Sequence, residues 1–88
     1  MNKISIIIPV LNEAETIENL LNNLLKHSTK ENISEILIVD GGSNDGSQQI
    51  AQSIKDLNPY KILLLNSDKG RAKQMNLGAK FANGNILY

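Results

Sequence analysis

Residues 36–39, Ile-Leu-Ile-Val, form an unbroken aliphatic run that stops at a carboxylate, Asp40, and passes at once into Gly41-Gly42-Ser43-Asn44-Asp45-Gly46-Ser47. Four consecutive aliphatic residues suit a strand buried on both faces, the environment of a parallel sheet. Asp40 is then delivered to the carboxyl edge of that sheet, where open α/β sheets bind ligands. Gly41 and Gly42 allow a close approach of backbone to ligand, and Ser43, Asn44 or Asp45 is placed to cap the helix that follows. A tight, well-capped connection with no ligand fits the same residues and stays open at this point. The glycines do not make G-x-G-x-x-G, and the acidic residues lack the spacing of an EF-hand loop.

The rest of the chain repeats the alternation. Ile4 to Val10 reads as a first strand, and Asn12 with Glu15 three residues later as a capping pair for the next helix. Ile17, Leu20, Leu21, Leu24 and Leu25 recur at i, i+3, i+4, i+7 and i+8, an amphipathic stripe whose leucines are core rather than a cofactor box. The polar stretch His27 to Ser34 leads to the strand ending at Asp40. A weaker stripe of Ile50, Ala51, Ile54 and Leu57 follows and is stopped by Asn58-Pro59. Tyr60 to Leu65 is a third apolar run. Gly70 to Ala82 is a third helix, with Ala72, Met75, Ala79 and Ala82 on one side and Asn83-Gly84 as its left-handed cap.

Ile86-Leu87-Tyr88 begins a fourth strand. The order βαβαβαβ with short connections predicts an α/β fold with a doubly wound, mainly parallel sheet, because each crossover is right-handed and lays its helix on a sheet face. So short a fourth strand leaves an apolar edge unprotected, which reads as a domain truncated after that strand and predicts self-association through Ile86 to Tyr88.

Composition narrows the classes of function. With 88 residues and 41% hydrophobic content, the chain makes one small domain that buries about 60–70% of its unfolded surface. Nine basic residues balance nine acidic ones, so no overall field favours nucleic acid or an anionic membrane, and any positive site is local. There is no cysteine, hence no disulfide or thiolate metal site. The one histidine, His27, reads as a solvent-side residue near a helix end. Ile4 to Leu11 is interrupted by Pro9 and is too short for a membrane span, so the expected location is cytoplasmic. Asn32-Ile33-Ser34 matches a glycosylation sequon, a pattern frequent by chance.

Three strand ends converge in such a sheet: Pro9 to Glu13, Asp40 to Gly42, and Asn66 to Arg71. Lys69, Arg71 and Lys73 crowd the start of the third helix, where the macrodipole already supplies positive charge and favours Asp or Glu instead. That arrangement calls for an anion. Arg71 is the only arginine, and its forked guanidinium suits phosphate or the edge of a base. The competing reading is that Asp68 and neighbouring carboxylates neutralise a solvated basic turn. Gln74 and Asn76, read as exposed, add hydrogen-bonding capacity on the same turns. No Asp-x-Asp occurs, no metal-ligand spacing is found, and no Ser-His-Asp set assembles around His27. A binding site without catalytic groups is what remains.

Three segments, Ser5 to Glu13, Ile38 to Ser47 and Gly70 to Ala79, together resemble the start of family 2 glycosyltransferases, and the last resembles a bacterial subgroup. The resemblance spans essentially the whole chain. It implies a GT-A, Rossmann-like fold, a nucleotide-diphosphate sugar as donor, a divalent cation (Mg²⁺ or Mn²⁺), and inversion at the anomeric carbon. Residues 1–88 would be the nucleotide-sugar-binding half, with Pro9, Leu11, Asn12, Glu13, Asp40 and Gly41 lining base and ribose and Arg71 with Lys73 at the base or diphosphate. The metal motif and catalytic base belong to regions beyond residue 88, so this chain alone is expected to be inactive and to bind no cation. A longer protein would be peripheral to the membrane. Many relatives carry a second aspartate at the position of Gly41 and an aromatic at that of Leu11. The contrasting reading is a non-catalytic nucleotide-binding or interaction module complete at 88 residues; a nucleotidyltransferase would need a glycine- and arginine-rich loop after the first strand.

Overall fold

A computed structural model describes residues 4–27, 33–59 and 61–87. Strand β1 (Ile4–Val10) leads to helix α1 (Ala14–His27), β2 (Ile33–Asp40), α2 (Ser47–Leu57), β3 (Ile62–Asn66), α3 (Arg71–Phe81) and β4 (Asn85–Leu87). All strand pairs are parallel, in the order β3-β2-β1-β4. The alternation read from the sequence is therefore the architecture, and the carboxylate ending the aliphatic run is the last residue of β2.

Period two divides the strand residues between two faces. Ile6, Ile8 and Val10 of β1 join Ile36 and Ile38 of β2 against Ile17, Leu21, Ala51 and Ile54 of α1 and α2. Ile7, Leu37 and Val39 look the other way, toward Leu77 and Ala79 of α3. Each fully buried Ile or Leu contributes on the order of 1.5–3 kcal/mol. Two helices on one face and one on the other make the sheet doubly wound, and the strand order reverses direction at β1. Above the carboxyl end of β1 the crossovers diverge to opposite faces, which opens a crevice.

Several local expectations are corrected. Leu20 lies at the edge of the α1 stripe and is 41% exposed, while Ile17 and Leu21 at its centre are wholly buried. Leu57, the last residue of α2, is 82% exposed. The packed face of α3 centres on Gln74 and Gly78, with Leu77 and Ala79 beside them and Ala82 just beyond the helix end also against the core; Met75 is half-buried and Ala72 is exposed. The reason is proximity: a Cβ on Gly78 would stand 2.6 Å from Ile7 Cγ2 and 3.2 Å from Val39 Cγ2, so the bare helix backbone sits directly on the sheet.

Neither Asn83 nor Gly84 adopts positive φ; Ala82 leaves the helix in an extended conformation (φ −71°, ψ 138°). There the amides of Asn83 and Gly84 are taken by Glu35 Oε2 and Ser5 Oγ, and Ser5 Oγ donates to Glu35 Oε2 at 2.6 Å. These two amides are taken by side chains instead of returning to the last helix carbonyls as in a left-handed cap. Tyr60, the sequon residue Asn32, residues 28–31 and Tyr88 lie outside the described residues, as does the side chain of His27.

Candidate functional site

The loops after β1 and β2 are bonded to each other. Asn12 takes positive φ (52°) and does not cap its own helix; its Oδ1 accepts the Asn44 amide at 2.9 Å, and its own amide donates to Ser43 Oγ at 2.8 Å. The first amides of α1 are capped from the second loop: Glu13 N–H donates to Ser47 Oγ at 2.9 Å and Ala14 N–H to Asp45 Oδ2 at 3.0 Å. Asp45 Oδ1 also accepts the Ser47 amide and hydroxyl at 3.0 and 2.6 Å. One aspartate thus serves two helix starts. The Ser47 hydroxyl and Ala14 amide hold its carboxyl below the ordinary value, with little opposition from desolvation.

Asp40 lies beneath this assembly, 1% exposed. Its Oδ2 accepts the Gly42 and Ser43 amides at 2.9 and 2.8 Å and Gln48 Nε2 at 2.7 Å, while Oδ1 is buried with no partner. Burial alone would raise its pKa, but the bonds from Ser43, Gln48 and Gly42 outweigh that and the net shift is downward. The carboxylate ties down the turn that follows β2.

The third loop is different. Gly70 (φ 139°, ψ 122°) turns the chain into α3 without any side-chain cap, so the amides at the start of that helix have no acceptor among the described residues. Lys69, Arg71 and Lys73 surround this end and form no ion pair among the described residues, Asp68 included. Free amides, the positive end of the helix and three unpaired cations coincide.

Pro9, Val10, Leu11 and Glu13 from the end of β1 face Lys69, Gly70, Arg71 and Gln74 across a cleft of 240 Å³. Lys73 lies on the other flank of α3, where a wider groove of 760 Å³ runs between Asn66 to Asp68 and Asn76 to Lys80. The smaller cleft is the better candidate, because it sits at the reversal of strand order and meets two loops. Of the residues singled out in the sequence, Pro9, Leu11, Glu13 and Arg71 meet in it. Asn12, Asp40 and Gly41 do not line it; they hold together the loops and strand end beside it.

Gln74, expected to be exposed, is 3% exposed, and its Nε2 donates to the Val10 and Val39 carbonyls at 3.0 and 2.8 Å. It bonds the ends of β1 and β2 together from the helix above. The available signal was Gly78 four residues on, which marks the same face of α3 as a close approach.

The glycosyl transferase family 2 model matches residues 5–88. The chain belongs to this family. Among curated family 2 relatives it is 35% identical over 85 residues to glycosyltransferase AglE of Haloferax volcanii, covering 96% of the chain and 28% of that protein. It is 34% identical over 80 residues to poly-beta-1,6-N-acetyl-D-glucosamine synthase of Staphylococcus aureus, covering 91% of the chain and 19% of that protein. The chain therefore spans under a third of the length of these relatives.

Among solved structures, the mannosyltransferase PcManGT of Pyrobaculum calidifontis, in complex with GDP-Man and Mn²⁺, superposes with a TM-score of 0.81 at 25% identity, covering 94% of this chain and 25% of that one. Glucosyl-3-phosphoglycerate synthase of Mycobacterium tuberculosis superposes at 0.68 and 20% identity, covering 94% and 30%. The architecture is the Rossmann-like part of the GT-A fold. No group of three or more His, Cys, Asp or Glu converges among the described residues, and no helix there is long and apolar enough to cross a membrane.

Proposed function

We propose that this chain is the donor-gripping part of an inverting family 2 glycosyltransferase, holding the nucleoside diphosphate of an activated sugar in the cleft between β1 and α3. One observation carries the reading: of the three helix starts at the sheet's carboxyl edge, α1 and α2 have first-turn amides taken by Asp45 and Ser47, while α3 keeps its amides open amid Lys69, Arg71 and Lys73. A diphosphate is the anion that such an end accepts. Pro9 and Leu11 offer an apolar wall to a planar base, and Glu13 an acceptor for hydroxyl or imino hydrogens. Asp40, Gly41 and Asn12 act by fixing those walls. Lys73 meets the outer phosphate side from the neighbouring groove.

Transfer itself also needs an acceptor site and a base, so donor binding is the property to measure. Titration of the ¹⁵N-labelled chain with UDP and GDP should shift the amides of Gly70 to Lys73 and of Val10 to Glu13, with a dissociation constant on the order of 1 mM or tighter. Shifts confined to other surfaces, or none at ten times that concentration, would overturn the reading.

A further inference from the structure

Gly41 and Gln74 together specify what the floor of the cleft recognises. A Cβ on Gly41 would lie 2.8 Å from both Cδ and Oε1 of Gln74 and 3.0 Å from Nε2, so the glutamine amide occupies the space where a side chain of residue 41 would begin. Its orientation is fixed chemically. Two carbonyl oxygens, of Val10 and Val39, lie 3.0 and 2.8 Å from one end of the amide, and only the NH₂ group satisfies both. Both hydrogens are spent and the amide cannot turn over. Oε1 is left as an acceptor that makes no hydrogen bond among the described residues, and it is not among the wholly enclosed orphan atoms, of which Asp40 Oδ1 is the one present. Gln74 lines the cleft. A recessed, immobile acceptor without a partner, on a side chain 97% buried, is a recognition element waiting for a donor.

We infer that Gln74 Oε1 is the base-reading acceptor of this chain and that it selects bases carrying a ring N–H at the middle of the Watson–Crick edge, uracil or guanine. This rests on the nucleotide reading above and adds the choice of base to it. A base entering edge-on brings the centre of its edge to the floor. Uracil N3–H and guanine N1–H donate there; cytosine N3 and adenine N1 present a lone pair to Oε1 and are repelled. The alkyl part of Gln74 cannot retreat, because Gly78 one turn on is pressed against Ile7 and Val39.

The decisive comparison is titration of the unmodified chain with UDP, GDP, CDP, ADP and 3-methyluridine diphosphate. UDP and GDP should bind about tenfold more tightly than CDP and ADP, and methylation at N3 should cost UDP a similar factor, since a site built for a hydrogen bond rejects the analogue lacking it. If all five bind alike, the cleft is a nucleotide site and the role of Gln74 is overturned. If none binds, the nucleotide reading falls and this inference with it. Gly41→Ala gives a second measure: its new methyl displaces the amide, so the variant, folded by its amide spectrum, should bind all bases with similar affinity. Retention of the wild-type ranking would overturn the assignment.

Discussion

Asp45 caps a helix that begins 31 residues before it: its Oδ2 accepts the Ala14 amide at 3.0 Å, while Oδ1 of the same carboxylate accepts the amide and hydroxyl of Ser47. The starts of α1 and α2 are thus parts of one hydrogen-bonded unit, although each lies in a different crossover.

Asp45→Ala should release both helix starts at once. Loss of a single cap lowers stability measurably, and in a domain of this size the thermal midpoint should fall by roughly 5 °C or more. Asp45→Asn retains one acceptor oxygen and should fall by less. Thermal unfolding followed by circular dichroism measures both, and equal midpoints for Asp45→Ala and the unmodified chain would show that the caps are dispensable.

The pH dependence follows from the same carboxylates. Asp40 and Asp45 both titrate below their ordinary value of 3.8 in the folded chain. A carboxyl group with a lowered folded pKa contributes stability that is complete above its unfolded value and disappears as pH falls through the folded one. Denaturant midpoints should therefore be level near neutrality and drop steeply below about pH 4. In Asp45→Asn that acid limb should be shallower. A limb of unchanged steepness would assign the loss to Asp40 and other groups.

Gly78→Ala sets two effects against each other. Alanine gains about 1 kcal/mol of helix propensity, but its methyl must enter space 2.6 Å from Ile7 Cγ2. Ile7 is β-branched, in an interior strand and 1% exposed, so it cannot swing aside. Overpacking costs of about 1–3 kcal/mol outweigh the gain. Chemical denaturation should show a net loss of up to about 2 kcal/mol, and a stabilised variant would mean that α3 lies farther from the sheet.

Arg71→Ala should weaken UDP or GDP binding about tenfold while leaving the unfolding midpoint unchanged, because the guanidinium is exposed and has no partner among the described residues. Lys73→Ala, across α3 in the wider groove, should weaken it about twofold to threefold. Calorimetric titration at two salt concentrations separates the two, since removal of a phosphate contact also flattens the salt dependence. Equal losses would place the diphosphate between the two grooves.

The fold was legible because its signals are local: an aliphatic run such as Ile36 to Val39 can only be a buried strand, and Ile17, Leu21 and Leu24 recur at a helical period. The meeting of Pro9, Leu11, Glu13 and Arg71 was legible too, since parallel strands bring their carboxyl ends to one edge. What the chain does not spell out locally is how loops hold each other. Asn12 resembles a helix cap by its neighbours, yet it is drawn to Asn44 by tertiary packing. Gln74 resembles a solvent-facing helix residue, and only the placement of α3 over two strand ends turns its amide inward. Asp40 carries the chemistry of a ligand contact, and a sequence does not show that its Oδ2 is held by the turn that follows while Oδ1 keeps no partner.

The first two loops exchange four hydrogen bonds through side chains. Beyond Ser67, whose amide reaches the Asp40 carbonyl at 2.8 Å, residues 68–70 bond to neither of those loops. The cleft between them consequently has jaws anchored in different ways. Its apolar jaw, Pro9 to Glu13, is held by the second loop, whereas on its cationic jaw Arg71 belongs to α3, which Gln74 ties to the Val10 and Val39 carbonyls, and Lys69 and Gly70 bond to neither loop. Under the nucleotide reading, shape discrimination resides on the first side and charge capture on the second. Sequence drift in residues 68–70 would retune affinity without disturbing the core.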